Sequence, residues 1–151
     1  MANAPGVNVS FWVQGCPHSP HCPGCFNKET WDFNGGKEFT QETLDAILSA
    51  LTANNIHRDF CLLGGEPLCP DNLFLSLLVV STIKEKLPDT KIYIWTGYTY
   101  EELMKMADSR INKLLNLTYC LIDGPFIQEQ RDITLRMKGS RNQRIIYAPF
   151  D

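Results

Sequence analysis

Three cysteines that fall within ten residues are the part of this sequence whose composition and spacing most directly predict chemistry. Cys16, Cys22 and Cys25 have the spacing C-x5-C-x2-C, in a loop that prolines and glycines turn or stiffen. Thiolates that converge in a short loop suit zinc or iron–sulfur iron. The pattern therefore predicts a metal site. A zinc ion with His18 or His21 as its fourth ligand and an iron–sulfur cluster both remain open.

The lack of a fourth cysteine beside these three bears on that choice. A four-iron cluster held by three thiolates keeps one iron open to a substrate, whereas a structural zinc site is closed. Cys61 and Cys120 lie in apolar, strand-like segments, and we expect them to be buried thiols. Cys69 follows a turn and is assigned either to the core or to the surroundings of the metal site.

A second motif is an apolar run that enters two glycines and a carboxylate, with the sequence LLGGEPL over Leu62–Leu68. Gly64 and Gly65 would let a ligand approach the backbone closely, and Glu66 offers an acceptor for an ammonium group. A plain strand-to-turn connection would also explain the glycines. The motif gains weight from the cysteine loop in the same chain.

Hydrophobic patterns along the chain alternate between strand-like and helix-like segments, which predicts a parallel α/β sheet with helices on both faces. The predicted strands are Val7–Gln14, Asp59–Leu63, Lys91–Trp95 and Tyr119–Ile122. The predicted helices run from a Thr40 cap to about Asn54, over Asn72–Leu87 and onward from Thr99. Ligands of such sheets bind at the carboxyl ends of the strands. Thr96 follows one of those ends, where it could line a ligand site or merely cap the next helix.

Composition narrows the class of protein. The 151 residues, 44% of them hydrophobic, predict a single domain over residues 1–151. A net charge of -3 disfavours binding to nucleic acid or to an anionic membrane. We see no apolar stretch long enough to cross a bilayer and no secretory signal, so a cytoplasmic location is expected.

Six segments, taken in order, resemble the small radical S-adenosylmethionine activases of glycyl-radical enzymes. They are PGVNVSFWVQGC (5–16), CPGCFNKETWDFNGG (22–36), LLGGEPL (62–68), IYIWTGYTYEEL (92–103), LIDGPF (121–126) and RMKGSRNQRII (136–146). In that superfamily three residues usually separate the first two cysteines, whereas five residues separate Cys16 from Cys22 here. Two extra residues in a loop cost little entropy, so the thiolates can still converge. The resemblance implies a partial, open (β/α) barrel of the radical S-adenosylmethionine type, with a mainly parallel sheet.

The resemblance also implies a set of site residues. Cys16, Cys22 and Cys25 would hold a [4Fe-4S] cluster whose open iron is chelated by the amino and carboxylate groups of S-adenosylmethionine. Gly64, Gly65 and Glu66 would form the segment that meets the amino group, and Thr96 would line the cofactor site. Phe26 would contact the adenine or else pack in the core. No side chain is expected to act as a catalytic acid or base, because the cofactor carries the radical.

The implied activity is that of a radical S-adenosylmethionine oxidoreductase. Reductive cleavage would yield a 5'-deoxyadenosyl radical and then a glycyl radical on the anaerobic ribonucleoside-triphosphate reductase. A formate-lyase-type substrate and a non-catalytic zinc or iron–sulfur module are the alternatives. An external one-electron donor such as a flavodoxin is implied, and a homodimer remains open. The polar residues between Lys138 and Arg144 are interpreted either as a solvated terminus or as a contact with the partner.

Overall fold

The computed structural model describes residues 4–18 and 38–150. The strands are β1 (Asn8–Val13), β2 (Asp59–Gly64), β3 (Ile92–Trp95), β4 (Cys120–Asp123) and β5 (Arg144–Tyr147). The helices are α1 (Gln41–Thr52), α2 (Pro70–Lys86), α3 (Tyr100–Lys105) and α4 (Ser109–Asn116), with short 3-10 turns at Ala53–Asn55 and Gln128–Gln130. Across these two ranges, no helix is both long enough and apolar enough to span a membrane.

Two of the helices begin at reciprocal caps that the sequence predicts. The Thr40 side chain accepts from the backbone N–H of Thr43, and the Thr43 side chain accepts from the Thr40 backbone in return. Thr99 and Glu102 form the same arrangement at the start of α3. Each cap satisfies donors that would otherwise lack partners in the first helical turn. The helix expected to begin after the Thr40 cap is therefore confirmed.

The helical segment expected after Thr99 is divided into two helices. Ala107 has a φ of 52°, in the left-handed region, which ends α3. Asp108 then accepts a hydrogen bond from the backbone N–H of Arg110 and begins α4. The break turns α4 so that Ile111 is buried in the main core.

The sheet has the order β1-β2-β3-β4-β5. The first four strands are parallel to their neighbours, whereas β5 is antiparallel to β4. The expected partial, open (β/α) barrel with a mainly parallel sheet is therefore wrong: the described chain forms a small α/β fold with one mixed sheet. The physical reason lies in the connection from β4 to β5, residues 124–143, which carries only a 3-10 turn. A parallel return usually runs through a helix that packs on the sheet, and because this connection forms none, the chain comes back antiparallel.

All four described helices pack on one face of the sheet, so the expectation of helices on both faces is also wrong. The main core joins apolar residues of every helix to one side of the strands, including Ile47, Leu73, Leu103 and Leu114. Each new strand is added beside the preceding one in the same direction. Right-handed crossovers then place every helix on the same face.

The opposite face carries a second apolar cluster that contains no helix residue. Cys61 and Cys120 lie there at 0% exposure, which confirms that they are buried thiols. Burial raises the pKa of each to about 12. Met137 from the β4–β5 connection packs against this cluster, and its carbonyl accepts a hydrogen bond from Trp95 Nε1 at 2.6 Å.

Gly64 ends β2 at a position that no side chain fits. Its φ is +125°, and it pairs in register with Val13 of β1. A Cβ at this position would lie 2.3 Å from the carbonyl oxygen of Val13 and 2.6 Å from its nitrogen. The first glycine of the motif therefore has a packing role: it lets β1 and the end of β2 approach closely.

We predict that Gly64→Ala destabilises the protein more than Gly6→Ala does. Gly6 also has a positive φ, of +77°, but a Cβ added there would have no atom within 4 Å. In the control, Gly6→Ala, the free energy of unfolding should fall only by the cost of holding alanine at a positive φ, about 1–2 kcal/mol. Gly64→Ala should lose at least about 1 kcal/mol more in the free energy of unfolding, measured by urea unfolding. Equal losses would contradict the close approach of β1 and β2.

Candidate functional site

The loops after β1, β2 and β3 meet at the carboxylate of Glu66, which has 0% exposure. Its Oε2 accepts from the Thr96 hydroxyl at 2.7 Å and from the Leu68 N–H at 3.1 Å. Its Oε1 accepts from the Gly97 N–H at 2.7 Å and lies 2.7 Å from His18 Nε2. Four donors therefore surround one buried carboxylate, and they come from three separate loops.

His18 connects the cysteine loop to this carboxylate. An ionised carboxylate only accepts hydrogen bonds, so Nε2 of His18 carries the proton. The imidazole lies 4.6 Å from the Tyr98 ring, centroid to centroid, and a Cβ on Gly97 would come within 2.7 Å of Nε2. Burial lowers the pKa of His18, but the hydrogen bond and charge of Glu66 outweigh this effect, so the pKa is raised.

The start of the cysteine loop is also fixed through its backbone. The N–H of Glu66 donates to the carbonyl of Gly15 at 2.7 Å. The Asn72 side chain, on the first turn of α2, donates to the carbonyls of Gln14 and Glu66 at 3.0 and 2.9 Å. Cys16 follows directly, and these bonds hold it at the carboxyl edge of the sheet. Asn72 was not among the site residues predicted from the sequence. The one sequence signal for it is an amide side chain among the apolar positions of the predicted helix.

Of the three cysteines predicted to bind the metal, Cys16 is the one that the structure describes, and it is half-buried. Cys69 is 1% exposed, just before α2, and burial raises its pKa. Burial also raises the pKa of Tyr98 to about 12, with further contributions from nearby acidic groups that include Cys69 and Cys16. No group of three His, Cys, Asp or Glu side chains suited to a metal ion occurs within residues 4–18 and 38–150.

Cys22, Cys25 and Phe26 lie outside the described residues, so their assigned roles stay predictions. The remaining predicted residues, Gly64, Gly65, Glu66 and Thr96, do come together at the edge where Cys16 lies. Three thiolates are a donor set that fits an iron–sulfur cluster. The backbone at Gly64 and Gly65 is half-buried, whereas the carboxylate of Glu66 is enclosed.

The end of β4 carries an ion-pair network. Asp123, 1% exposed, accepts from Arg144 Nε at 3.0 Å and from the Tyr100 N–H at 2.7 Å. Arg144 also reaches Glu101 at 2.7 Å. From the sequence, Asp123 before Gly124 and Pro125 is interpreted equally well as a turn residue or as a ligand contact. In the structure, its side chain ties β4 to β5 and to the start of α3.

Comparisons with known proteins agree on one family. A family described as a 4Fe-4S single cluster domain matches residues 2–146. Anaerobic ribonucleoside-triphosphate reductase-activating proteins are similar over nearly the whole chain. The Vibrio cholerae protein is 41% identical over 146 residues (96% of this chain, 90% of the relative) and the Escherichia coli K12 protein 39% over 144 residues (95% and 90%). The protein of phage T4 is 34% identical over 146 residues (96% and 86%). None of the solved structures matches the chain.

We predict that Glu66→Gln destabilises the protein although it keeps the shape of the side chain. Each carboxylate oxygen accepts from a backbone N–H, of Gly97 on one side and of Leu68 on the other. Whichever way the amide is turned, its NH2 group faces a donor. We expect a loss of about 2–3 kcal/mol in the free energy of unfolding. Glu85→Gln, exposed on α2, is the matched control, and a similarly small loss for both variants would contradict the four-donor arrangement.

Proposed function

Because the chain belongs to the family of the anaerobic ribonucleoside-triphosphate reductase-activating proteins, we propose that it is a radical S-adenosylmethionine oxidoreductase that generates a glycyl radical on that reductase. The observation that carries this proposal is the three-cysteine loop, whose first ligand, Cys16, is held beside the Gly64–Glu66 segment by the bond from Glu66 to Gly15. A closed structural zinc site would not need a ligand-accepting segment at the same edge.

The proposed cofactors are a [4Fe-4S] cluster on Cys16, Cys22 and Cys25 and S-adenosylmethionine bound next to it. When bound, the cluster supplies one electron that splits S-adenosylmethionine into methionine and a 5'-deoxyadenosyl radical, which then takes a hydrogen atom from a glycine Cα of the reductase. The chain contributes binding, orientation and exclusion of competing reactions.

The Gly64–Glu66 segment is proposed to receive the amino group. Gly65 is half-buried and has no side chain, so an ammonium group can approach its backbone, whereas the space beside Gly64 is filled by Val13 of β1. The negative charge of Glu66 favours a cation there, while its two oxygens accept hydrogen bonds from this chain's own donors. Thr96 donates to Glu66, and we assign it the role of positioning that carboxylate.

The electron must come from another molecule. The cysteine loop supplies the ligands for one cluster, and Cys61, Cys69 and Cys120 are at most 1% exposed. An external one-electron donor such as a flavodoxin is therefore part of the proposal. The homodimer and the cytoplasmic location stay predictions.

We predict that replacing any one of the three loop cysteines by Ala abolishes iron binding, because three thiolates leave no spare ligand. The readouts are iron content and the visible absorbance of protein reconstituted without oxygen. Cys61→Ala and Cys120→Ala should keep their iron, since both thiols are fully buried on the far face of the sheet.

The same series tests the competing zinc site. If Cys22→Ala kept its full metal content while His18→Ala or His21→Ala lost it, the ligand assignment would be wrong.

We predict that the protein forms a glycyl radical on its partner. An anoxic mixture with the anaerobic ribonucleotide reductase, S-adenosylmethionine and a strong reductant should yield 5'-deoxyadenosine by chromatography and a glycyl doublet by electron paramagnetic resonance. A doublet on a formate-lyase-type enzyme alone would overturn the substrate and leave the radical chemistry standing. A protein that carries only zinc and gives no doublet would overturn both.

A further inference from the structure

The connection between β4 and β5, residues 124–143, is here called the arm, and its charge differs from that of the rest of the chain. The arm contains four cations and two carboxylates, a net charge of +2. The whole chain carries -3, so the remaining residues carry -5. A positive surface is therefore concentrated in one short segment of an acidic protein.

The arm has a defined shape although it is almost entirely irregular. Ser140 is 0% exposed, and its hydroxyl donates to the Asn142 side chain at 2.6 Å. Asn142 Nδ2 donates to the carbonyl of Pro125 at 2.8 Å, and Gln143 Nε2 donates to that of Gly124 at 3.0 Å. The interpretation of these residues as a solvated terminus is wrong, because they fasten the arm to the end of β4.

The arm begins and ends at the edge of the sheet that carries the candidate site. Gly124 follows β4, and its N–H donates to the carbonyl of Tyr98 at 2.8 Å. Arg144 opens β5 and pairs with Asp123 at the end of β4. Tyr98 in turn lies against His18, 4.6 Å between ring centroids. A protein that reaches the Glu66 region therefore also comes close to the arm.

The outward residues of the arm are those that favour protein–protein contact. Ile133 is 72% exposed, the highest value among the large hydrophobic residues that the structure describes. Arg136 and Arg141 are exposed, and neither forms an ion pair with a described carboxylate. Arg144, by contrast, is occupied by Asp123 and Glu101. Arginine is enriched in protein interfaces, and an apolar side chain within a charged surface can anchor one.

We propose that the arm is the docking surface for the glycyl-radical reductase, with Arg136 and Arg141 against an acidic region of that protein and Ile133 in an apolar recess. This inference rests on the proposed function, because that function requires a protein to bring a glycine to this edge. The charge of -5 on the rest of the chain repels an acidic partner elsewhere. Attraction is thereby confined to the arm, which orients the encounter.

The test compares two double variants with the same change of charge. Arg136→Glu with Arg141→Glu reverses the arm, whereas Lys86→Glu with Lys113→Glu reverses exposed cations on α2 and α4. Dissociation constants for the intact reductase are measured anoxically by calorimetry at several salt concentrations. The arm variant should bind about tenfold more weakly or worse, with a smaller salt dependence, and the control should change by less than about threefold. Truncation after Lys138 is unsuitable, because it removes β5.

Further measurements separate the possible failures. Iron content, thermal midpoint and 5'-deoxyadenosine formed without the partner should be unchanged in the arm variant, and Ile133→Ala should weaken reductase binding without changing its salt dependence. Unchanged reductase affinity in both arm variants, with a normal glycyl doublet, would overturn the docking surface and leave the proposed function standing. If the arm variants lost only the association of this chain with a second copy of itself, the arm would be an interface between two copies. The docking surface for the reductase would then be overturned as well. No doublet from the unmodified proteins would overturn the proposed function instead.

Discussion

The candidate site depends on the stabilisation of one carboxylate that water does not reach. Burying an isolated charge costs several kcal/mol unless hydrogen bonds replace its hydration. Glu66 receives this compensation from the loops after β1, β2 and β3, through His18, Leu68, Thr96 and Gly97. Because each loop follows a different strand, the carboxylate is satisfied only when all three strand ends are in place.

The backbone of the same residue also fixes where the cysteine loop begins. The backbone of Glu66 holds Gly15, Asn72 holds Gln14, and Cys16 comes next along the chain. The same residues that shape the Gly64–Glu66 segment therefore position Cys16, the first of the three cysteines proposed to hold the cluster. The separation of Cys16 from the Gly64–Glu66 segment is thus set by backbone hydrogen bonds and by the Asn72 side chain.

All described helices pack on one face of the sheet, which explains why the polar, irregular arm packs against the other face. Sequential parallel strands place every described helix on one face, and the opposite face needs a different cover. The arm supplies part of it through Met137, and Ser140 turns inward to fasten it. Its inward residues therefore serve the fold, which leaves the outward cations and Ile133 available to a partner.

The sequence by itself determined whatever neighbouring residues encode. The Thr40 and Thr99 caps, the positions of the first four strands and the cysteine spacing all depend on residues a few positions apart, where period and capping act. Only the tertiary structure decided the rest: the helices on a single face, the antiparallel β5, the Asp123–Arg144 pair and the bond from His18 to Glu66, 48 residues away. Such contacts follow from the direction in which each connection returns the chain. That direction is set by how the whole sheet packs, and no local pattern specifies it.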